Sequence, residues 1–444
     1  MSHALLQAWD RTLRRHGGRR AVVQAANGAA VTFRELDARA AAWLAAHAPD
    51  PARVAGRAVV FAAPNGIGWL EMFLGLLRAG AVAVPLEAAE PPTAQRELAA
   101  ALRAGFWWDG RQLTAMVGAK RFRDPAVCLI KLTSGTTGKP RALVFTAAPL
   151  LADARQVTAT MGIGPRDLNF ALIPFGHSYG LGNLTVPLLA QGVPLVCGTA
   201  ALPHAIAADF RRWRPTVFPA IPAMWRALAA SDLALPGLRL GISAGAPLPP
   251  EVARTFARRF RRRLHSFYGS SETGGIAYDR TGDGALTGAV GSPLRGVRLT
   301  SLGGDRLEVS SAAVLTRGNR RRTGKLGAWV MPDRAVLGAR GAVTLLGRRG
   351  RNVKLAGRRV NLAEVAARLQ RLPGVREVWV GVSARTDPVL AAVVVSGRPP
   401  AALRTDLATD TAAWKIPKLW KEVAALPLTA RGKTDTRALQ ALLG

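Results

Sequence analysis

Short apolar runs alternating with helical stretches constrain this chain more than any other feature. "RAVVFAA" reads as a buried strand, "GWLEMFLGLLRAG" as a helix ended by Gly80, and "AVAVPL" as the next strand. "TFRELDARAAAWLAAHA" upstream is a helix, and "NFALIPF", "PLVCG", "PTVFPAI" and "GLRLGISAG" continue the scheme with helices between them. Strands that are apolar throughout have no side for solvent. Strands separated by helices pair in parallel, with helices covering both faces. The fold class is therefore α/β, with a large N-terminal domain of mostly parallel sheets and flanking helices. From about Thr287 the pattern changes to glycine-punctuated β pieces, "VRLTSLGGDRLEVSS" and "GAVTLLGR", which predict a small β-barrel-like part. A helix ("RVNLAEVAARLQRLPGV"), two strands ("REVWVGVSA", "PVLAAVVVSG") and a helical tail then predict a small α+β C-terminal domain. The charged, glycine-bearing "GRRGRN" has nothing apolar to bury, so the boundary falls there, giving domains 1–348 and 349–444.

The 444 residues, 49% of them hydrophobic, exceed what one ordinary core holds and exclude a disordered chain. "MSHALLQAWDRTLRRHGG" is amphipathic and charged throughout, which is not the pattern of a signal peptide. Apolar runs such as "AVVFAAP" are too short to cross a membrane, so no transmembrane segment is expected. Cys128 and Cys197 sit in apolar contexts and read as buried thiols of a reducing cytoplasm. The formal net charge of +33 makes nucleic acid a partner to test. Yet the arginines are spread along the chain, and "RRFRRRLH", "RGNRRRTGK" and "GRRGRN" carry no aromatic side chains interleaved for base stacking. No specific nucleic acid is expected; the charge suits anionic ligands or acidic partners.

"TSGTTGKPR", Thr133 to Arg141, is the chemically richest stretch. It follows the strand "VCLIKL". Gly135 and Gly138 permit the backbone angles that a nest of N–H groups needs. Thr133, Ser134, Thr136 and Thr137 add hydroxyl donors and Lys139 adds charge, a set suited to a polyphosphate. It is not a Walker A loop, because the two glycines are too close and Pro140 pushes the lysine away from a helical conformation.

The string resembles the phosphate-loop signature of the adenylate-forming enzyme superfamily, which includes acyl- and aryl-CoA synthetases, and the resemblance extends along nearly the whole chain. "PFGHSYGLGNLTVPLLAQG" resembles the stretch that places a histidine, here His177, at the acyl pocket. "SAGAPLPPEV" resembles the adenine-contacting turn, with Gly245, Ala246 and Pro247. "FYGSSETGGI" resembles the Y-G-x-[TS]-E motif. By that resemblance Tyr268 packs on the adenine beside Gly269, Ser271 touches the α-phosphate and Glu272 binds Mg²⁺. "GRRGRNVKLAGRRVNLAEV" matches the family's hinge run at Arg348, Lys354, Gly357 and Glu364, and "KIPKLW" followed by "LPLTARGKTD" puts the catalytic lysine at Lys433. The family's ribose-binding aspartate has two possible places, "TGK" at Thr323 to Lys325 and "WVMPD" ending at Asp333. Asp333 is the choice, because its spacing to Arg348 fits and a lysine cannot accept hydroxyl hydrogen bonds.

The resemblance implies ATP-dependent activation of a fatty or aromatic carboxylic acid to acyl-AMP, followed by transfer to a thiol, with a mobile C-terminal domain removing Lys433 between the steps. CoA is the expected acceptor, and the phosphopantetheine of an acidic acyl carrier protein is the alternative. A nucleotide-binding regulator without catalysis is a third reading, disfavoured by the retained Lys433, Glu272 and Asp333. His3, His16, His47, His204 and His265 lack metal-ligand spacing and read as ordinary packed or solvated residues.

Overall fold

The structure, a computed structural model, describes residues 4–133, 141–315, 327–348, 352–355, 358–383, 389–409, 411, 413–429 and 434–443. Two mixed sheets form the large region. In the six-stranded sheet Phe106–Trp108, Ala58–Ala62, Val82–Leu86 and Val127–Thr133 run parallel, flanked by the antiparallel Leu113–Ala115 and Arg141–Thr146. In the nine-stranded sheet the parallel set runs Leu264–Ser270, Leu240–Ser243, Val217–Ala220, Asn169–Ala171, Leu195–Cys197, Arg20–Gln24, with antiparallel strands at both edges. The expected parallel architecture is present.

A single apolar cluster joins the two sheets. It contains Val22 and Leu195 of one, Val59 and Phe61 of the other, and the helix Ile67–Arg78 between them. That helix is apolar on nearly every side, because it is covered on nearly every side: Trp69, Leu70, Met72, Phe73 and Leu74 are all buried. The helix Phe33–His47 begins at Thr32, whose hydroxyl accepts from the Glu35 N–H (3.1 Å) while the Glu35 carboxylate accepts from the Thr32 N–H (2.7 Å), a reciprocal cap. Cys128 and Cys197 are free and buried, and desolvation pushes both thiols up to about 12. Among the described residues no helix is long and apolar enough to cross a membrane.

The β-rich part is an antiparallel sheet in the order Arg298–Ser301, Arg306–Ser310, Ala328–Leu337, Val343–Arg348, with its own core around Val309, Trp329 and Met331. Beyond it come the strand pair Asn352–Leu355 and Arg358–Asn361, the helix Leu362–Arg371 capped by Asn361, and the antiparallel strands Val375–Val382 and Leu390–Ser396. The tail differs from expectation. Leu419–Glu422 is a strand, parallel to Leu390–Ser396, between two helices. Pro417 bars a helix there, the Lys418 N–H donates to Leu390 O at 2.8 Å, and Trp420 packs on the core.

Candidate active site

The site is built where the parallel strands of both sheets end, the usual place for ligands in open α/β sheets. Val127–Thr133 delivers Thr133 to its C-terminal end, paired with Arg141 across the ladder. Ser134, Gly135, Thr136, Thr137, Gly138 and Lys139 lie outside the described residues, as do Thr323, Lys325 and the catalytic candidate Lys433.

Leu240–Ser243 ends in a turn where Gly245 has φ +89°, a left-handed conformation that explains glycine at this place, and Gly245, Ala246 and Pro247 are exposed there. The neighbouring strand Leu264–Ser270 bulges between Tyr268 and Gly269, turns through Ser271 and Glu272, and returns as Gly274–Tyr278. The turn is held from inside: the Thr273 N–H donates to Ser270 Oγ (3.2 Å), and the Glu272 carbonyl accepts from the Leu315 N–H (2.7 Å). Ser271 and Glu272 are half-buried at its tip.

Two contacts bring distant candidates together. The Tyr268 hydroxyl donates to Asp333 Oδ2 at 2.7 Å across 65 residues of sequence, with both side chains buried. Asp333 stands opposite Arg348 in the strand ladder, as the spacing implied; the Arg348 side chain is outside the description. The Ser178 hydroxyl donates to Ser271 Oγ at 2.8 Å, joining the residue after His177 to the candidate α-phosphate contact. His177 is exposed and caps the short helix Ser178–Gly180, its Nδ1 accepting from the Tyr179 N–H at 3.3 Å. The chain then passes through a π-helical turn, Leu181–Thr185, a distortion frequent at functional sites.

Sequence reasoning missed Ser178, Lys131 and Asp153. Lys131 is 4% exposed within "VCLIKL", and Asp153 is 6% exposed on the helix Ala147–Met161. A charge inside an otherwise apolar strand was the available signal. Two of the other histidines are packed: His265 Nδ1 lies 2.8 Å from Asp279 O and its ring stacks on Tyr278, and His47 packs edge-on against Trp108, while His3 lies outside the described residues.

Residues 9–108 and 110–311, more than half of the chain, match the sequence signature of the AMP-binding enzyme family. The chain belongs to that family. It is 32% identical over 366 residues to a probable 2-succinylbenzoate–CoA ligase of Mycobacterium tuberculosis, covering 74% of this chain and 88% of that protein. It is 27% identical over 462 residues to a feruloyl-CoA synthase of an Amycolatopsis species, covering 91% of this chain and 92% of that protein. Among solved structures, Klebsiella oxytoca NpsA in complex with 3-hydroxyanthranilyl-AMSN superposes with a TM-score of 0.83 at 21% identity, over all of both chains. The resemblance to adenylate-forming enzymes and the expected fold class are thereby borne out.

Proposed function

We propose that this AMP-binding enzyme is an acid–thiol ligase that makes an acyl-AMP from ATP and an aromatic carboxylic acid, then an acyl-CoA. The observation that carries the reading is the Tyr268–Asp333 contact. It sets an aromatic ring, the candidate adenine face, beside a carboxylate able to accept from ribose hydroxyls, while Ser178 holds Ser271 on the neighbouring turn. Of the fatty and aromatic acids implied by sequence, the aromatic class is favoured by the ligases named above, which act on aryl acids by name.

A carboxylate is a poor electrophile at neutral pH, so its oxygen must become part of a leaving group. In the first step a carboxylate oxygen attacks the α-phosphorus, the bond to the bridging oxygen breaks, and pyrophosphate departs. Thr133, Ser134, Thr136, Thr137, Lys139 and the backbone of Gly135 and Gly138 take the role of cradling the β- and γ-phosphates. Ser271 donates to the α-phosphate, Asp333 fixes the ribose, Gly245, Ala246, Pro247 and Gly269 border the adenine beside Tyr268, Arg348 adds charge near the ribose, and His177 borders the acid. Lys433 bridges the carboxylate and the α-phosphate. In the second step a thiol sulfur attacks the carbonyl carbon, AMP leaves and the thiol proton passes to solvent.

Among the described residues no group of three His, Cys, Asp or Glu could hold a metal ion; Mg²⁺ is usually bound through one or two carboxylates together with substrate phosphates and water. One half-buried carboxylate, Glu272, fits Mg²⁺ bound in that way. Held at Glu272, Mg²⁺ would supply charge neutralisation for the departing pyrophosphate. The chain divides into residues 1–348, which bind ATP and acid, and 349–444, which bring Lys433 in for the first step and withdraw it for the second. The reaction is assigned to the cytoplasm, in keeping with the two buried free thiols.

The net charge of +33 favours one second reading, transfer to the phosphopantetheine of an acidic carrier protein. A pyrophosphate-release screen over a panel of aryl and fatty acids, with acyl-AMP and acyl-CoA measured by mass, tests both. The reading expects acyl-CoA from free CoA and an aryl acid. Acyl-AMP without acyl-CoA, passed instead to a carrier, replaces CoA by the second reading; no pyrophosphate release with any acid overturns the ligase.

A further inference from the structure

Lys131 lies two residues before Thr133, on the strand that runs into the hydroxyl loop, with Nζ 4.4 Å from the centroid of the Phe145 ring. Asp153, on the next helix, accepts from the Gly275 N–H at 2.8 Å through Oδ1. The chain is closely fitted around this carboxylate. A Cβ on Gly274, whose φ is +68°, would lie 2.4 Å from Asp153 Oδ1, and one on Gly182 would lie 2.6 Å from Oδ2. Asp153 therefore touches the backbone just behind Glu272 and also the π-helical turn that follows His177. Burial pushes the Lys131 ammonium down, and the anions that push back are Asp153 and Glu272. Two buried opposite charges are costly to desolvate and add little stability over an apolar pair, so their presence here calls for a task at the site.

We infer that Asp153 is a positioning residue for the Glu272 turn: it clamps the backbone of Gly274 and Gly275 on one side and the π-helical turn at Gly182 on the other. The inference rests on reading Glu272 as the carboxylate that holds the nucleotide's Mg²⁺. Its consequence is selective. Losing the clamp loosens the grip on the phosphates and their cation, and leaves the Tyr268 and Asp333 grip on adenosine as it was.

The test compares equilibrium binding of ATP with Mg²⁺, ATP without divalent cation, and adenosine, by calorimetry on the full chain. Asp153→Ala removes the acceptor for the Gly275 N–H, and Lys131→Met/Asp153→Ala removes the buried cation as well. Each is expected to weaken MgATP binding about tenfold, the usual scale when a group orienting a metal ligand is lost, with adenosine affinity unchanged. The gain in ATP affinity on adding Mg²⁺ shrinks accordingly. Should Asp153→Ala fail to fold because the buried Lys131 loses the attraction of that carboxylate, the double variant carries the test. MgATP binding equal to wild type in that variant overturns the inference, and so does an equal loss for all three ligands. A wild-type protein whose ATP affinity gains nothing from Mg²⁺ overturns the Glu272 reading itself, a result visible before any variant is made.

Discussion

Asp333→Ala is the substitution that best tests how the nucleotide is held. In the structure the Asp333 carboxylate already accepts from the Tyr268 hydroxyl at 2.7 Å through Oδ2, and it is 9% exposed. A buried carboxylate with a fixed orientation can accept from the two ribose hydroxyls without reorganising. A hydrogen bond to a charged group is worth about 1.5–3 kcal/mol net, so two are worth at least about 3 kcal/mol, or roughly a hundredfold in affinity at 1.4 kcal/mol per decade. The alanine variant also deprives the Tyr268 hydroxyl of this acceptor, which costs on the order of 1 kcal/mol of stability and is read separately by thermal unfolding. A double-mutant cycle isolates the ribose contribution: ATP and 2′,3′-dideoxy-ATP are each titrated into wild type and variant. Wild type is expected to bind the dideoxy nucleotide about a hundredfold more weakly than ATP. Asp333→Ala is expected to bind the two nearly equally. If Asp333→Ala still discriminates as wild type does, the carboxylate does not hold the ribose. If Lys325→Ala abolishes the discrimination instead, the choice between the two motifs was wrong.

Lys433→Ala should abolish acyl-AMP formation, measured as pyrophosphate release, while thioester formation from pre-made acyl-AMP persists; equal loss of both half-reactions counts against the assigned role. Ser178→Ala removes the 2.8 Å donor to Ser271, and the loss of about 1 kcal/mol should appear in kcat of the adenylation step with KM for ATP little changed. A rise in KM alone would make Ser178 a ground-state contact. Glu364 gives a pH dependence: burial pushes its carboxyl up, but the Lys415 ammonium at 2.8 Å, with Arg368 and Arg334, outweighs this and holds it below 4.5. The folded value is depressed, so the stabilisation is present in full above 4.5 and is lost as pH falls below it towards the folded value. The Tm of Glu364→Gln should therefore trail wild type at pH 7 and converge with it in acid; a constant gap through that range would refute the linkage.

What the sequence made legible follows from the range over which its signals act. The strand Ala58–Ala62 and the helix Ile67–Arg78 carry unbroken local patterns, and both stand where the text put them. Asp333 was chosen on its family-like spacing to Arg348, and the strand ladder sets the two opposite each other. Leu419–Glu422 escaped because a four-residue strand on a sheet edge has too short a pattern to outweigh its helical surroundings, and its partner, Leu390–Ser396, lies well upstream. Tertiary contacts were harder still. Asp153 and Gly275 are 122 residues apart, and Ser178 and Ser271 are 93 apart. No local propensity encodes such pairings; only the assembly of the nine-stranded sheet and the helix packed on it makes them.

The same reasoning separates two kinds of polar residue in this molecule. Ser271, Glu272 and Asp333 belong to short strings whose residue types already imply chemistry, so they could be named before any coordinates existed. Lys131 and Asp153 lie in apolar text, where each alone looks like an interruption. Burial gives them meaning: at 4% and 6% exposure neither is solvated like a surface charge, and the Asp153 carboxylate is met by the Gly275 N–H. A hydrophobic pair of similar volume would serve packing at least as well. Asp153 holds the backbone behind Glu272 and Lys131 lies on the strand that ends at Thr133, so their placement argues for precision at the proposed nucleotide site over stability of the core.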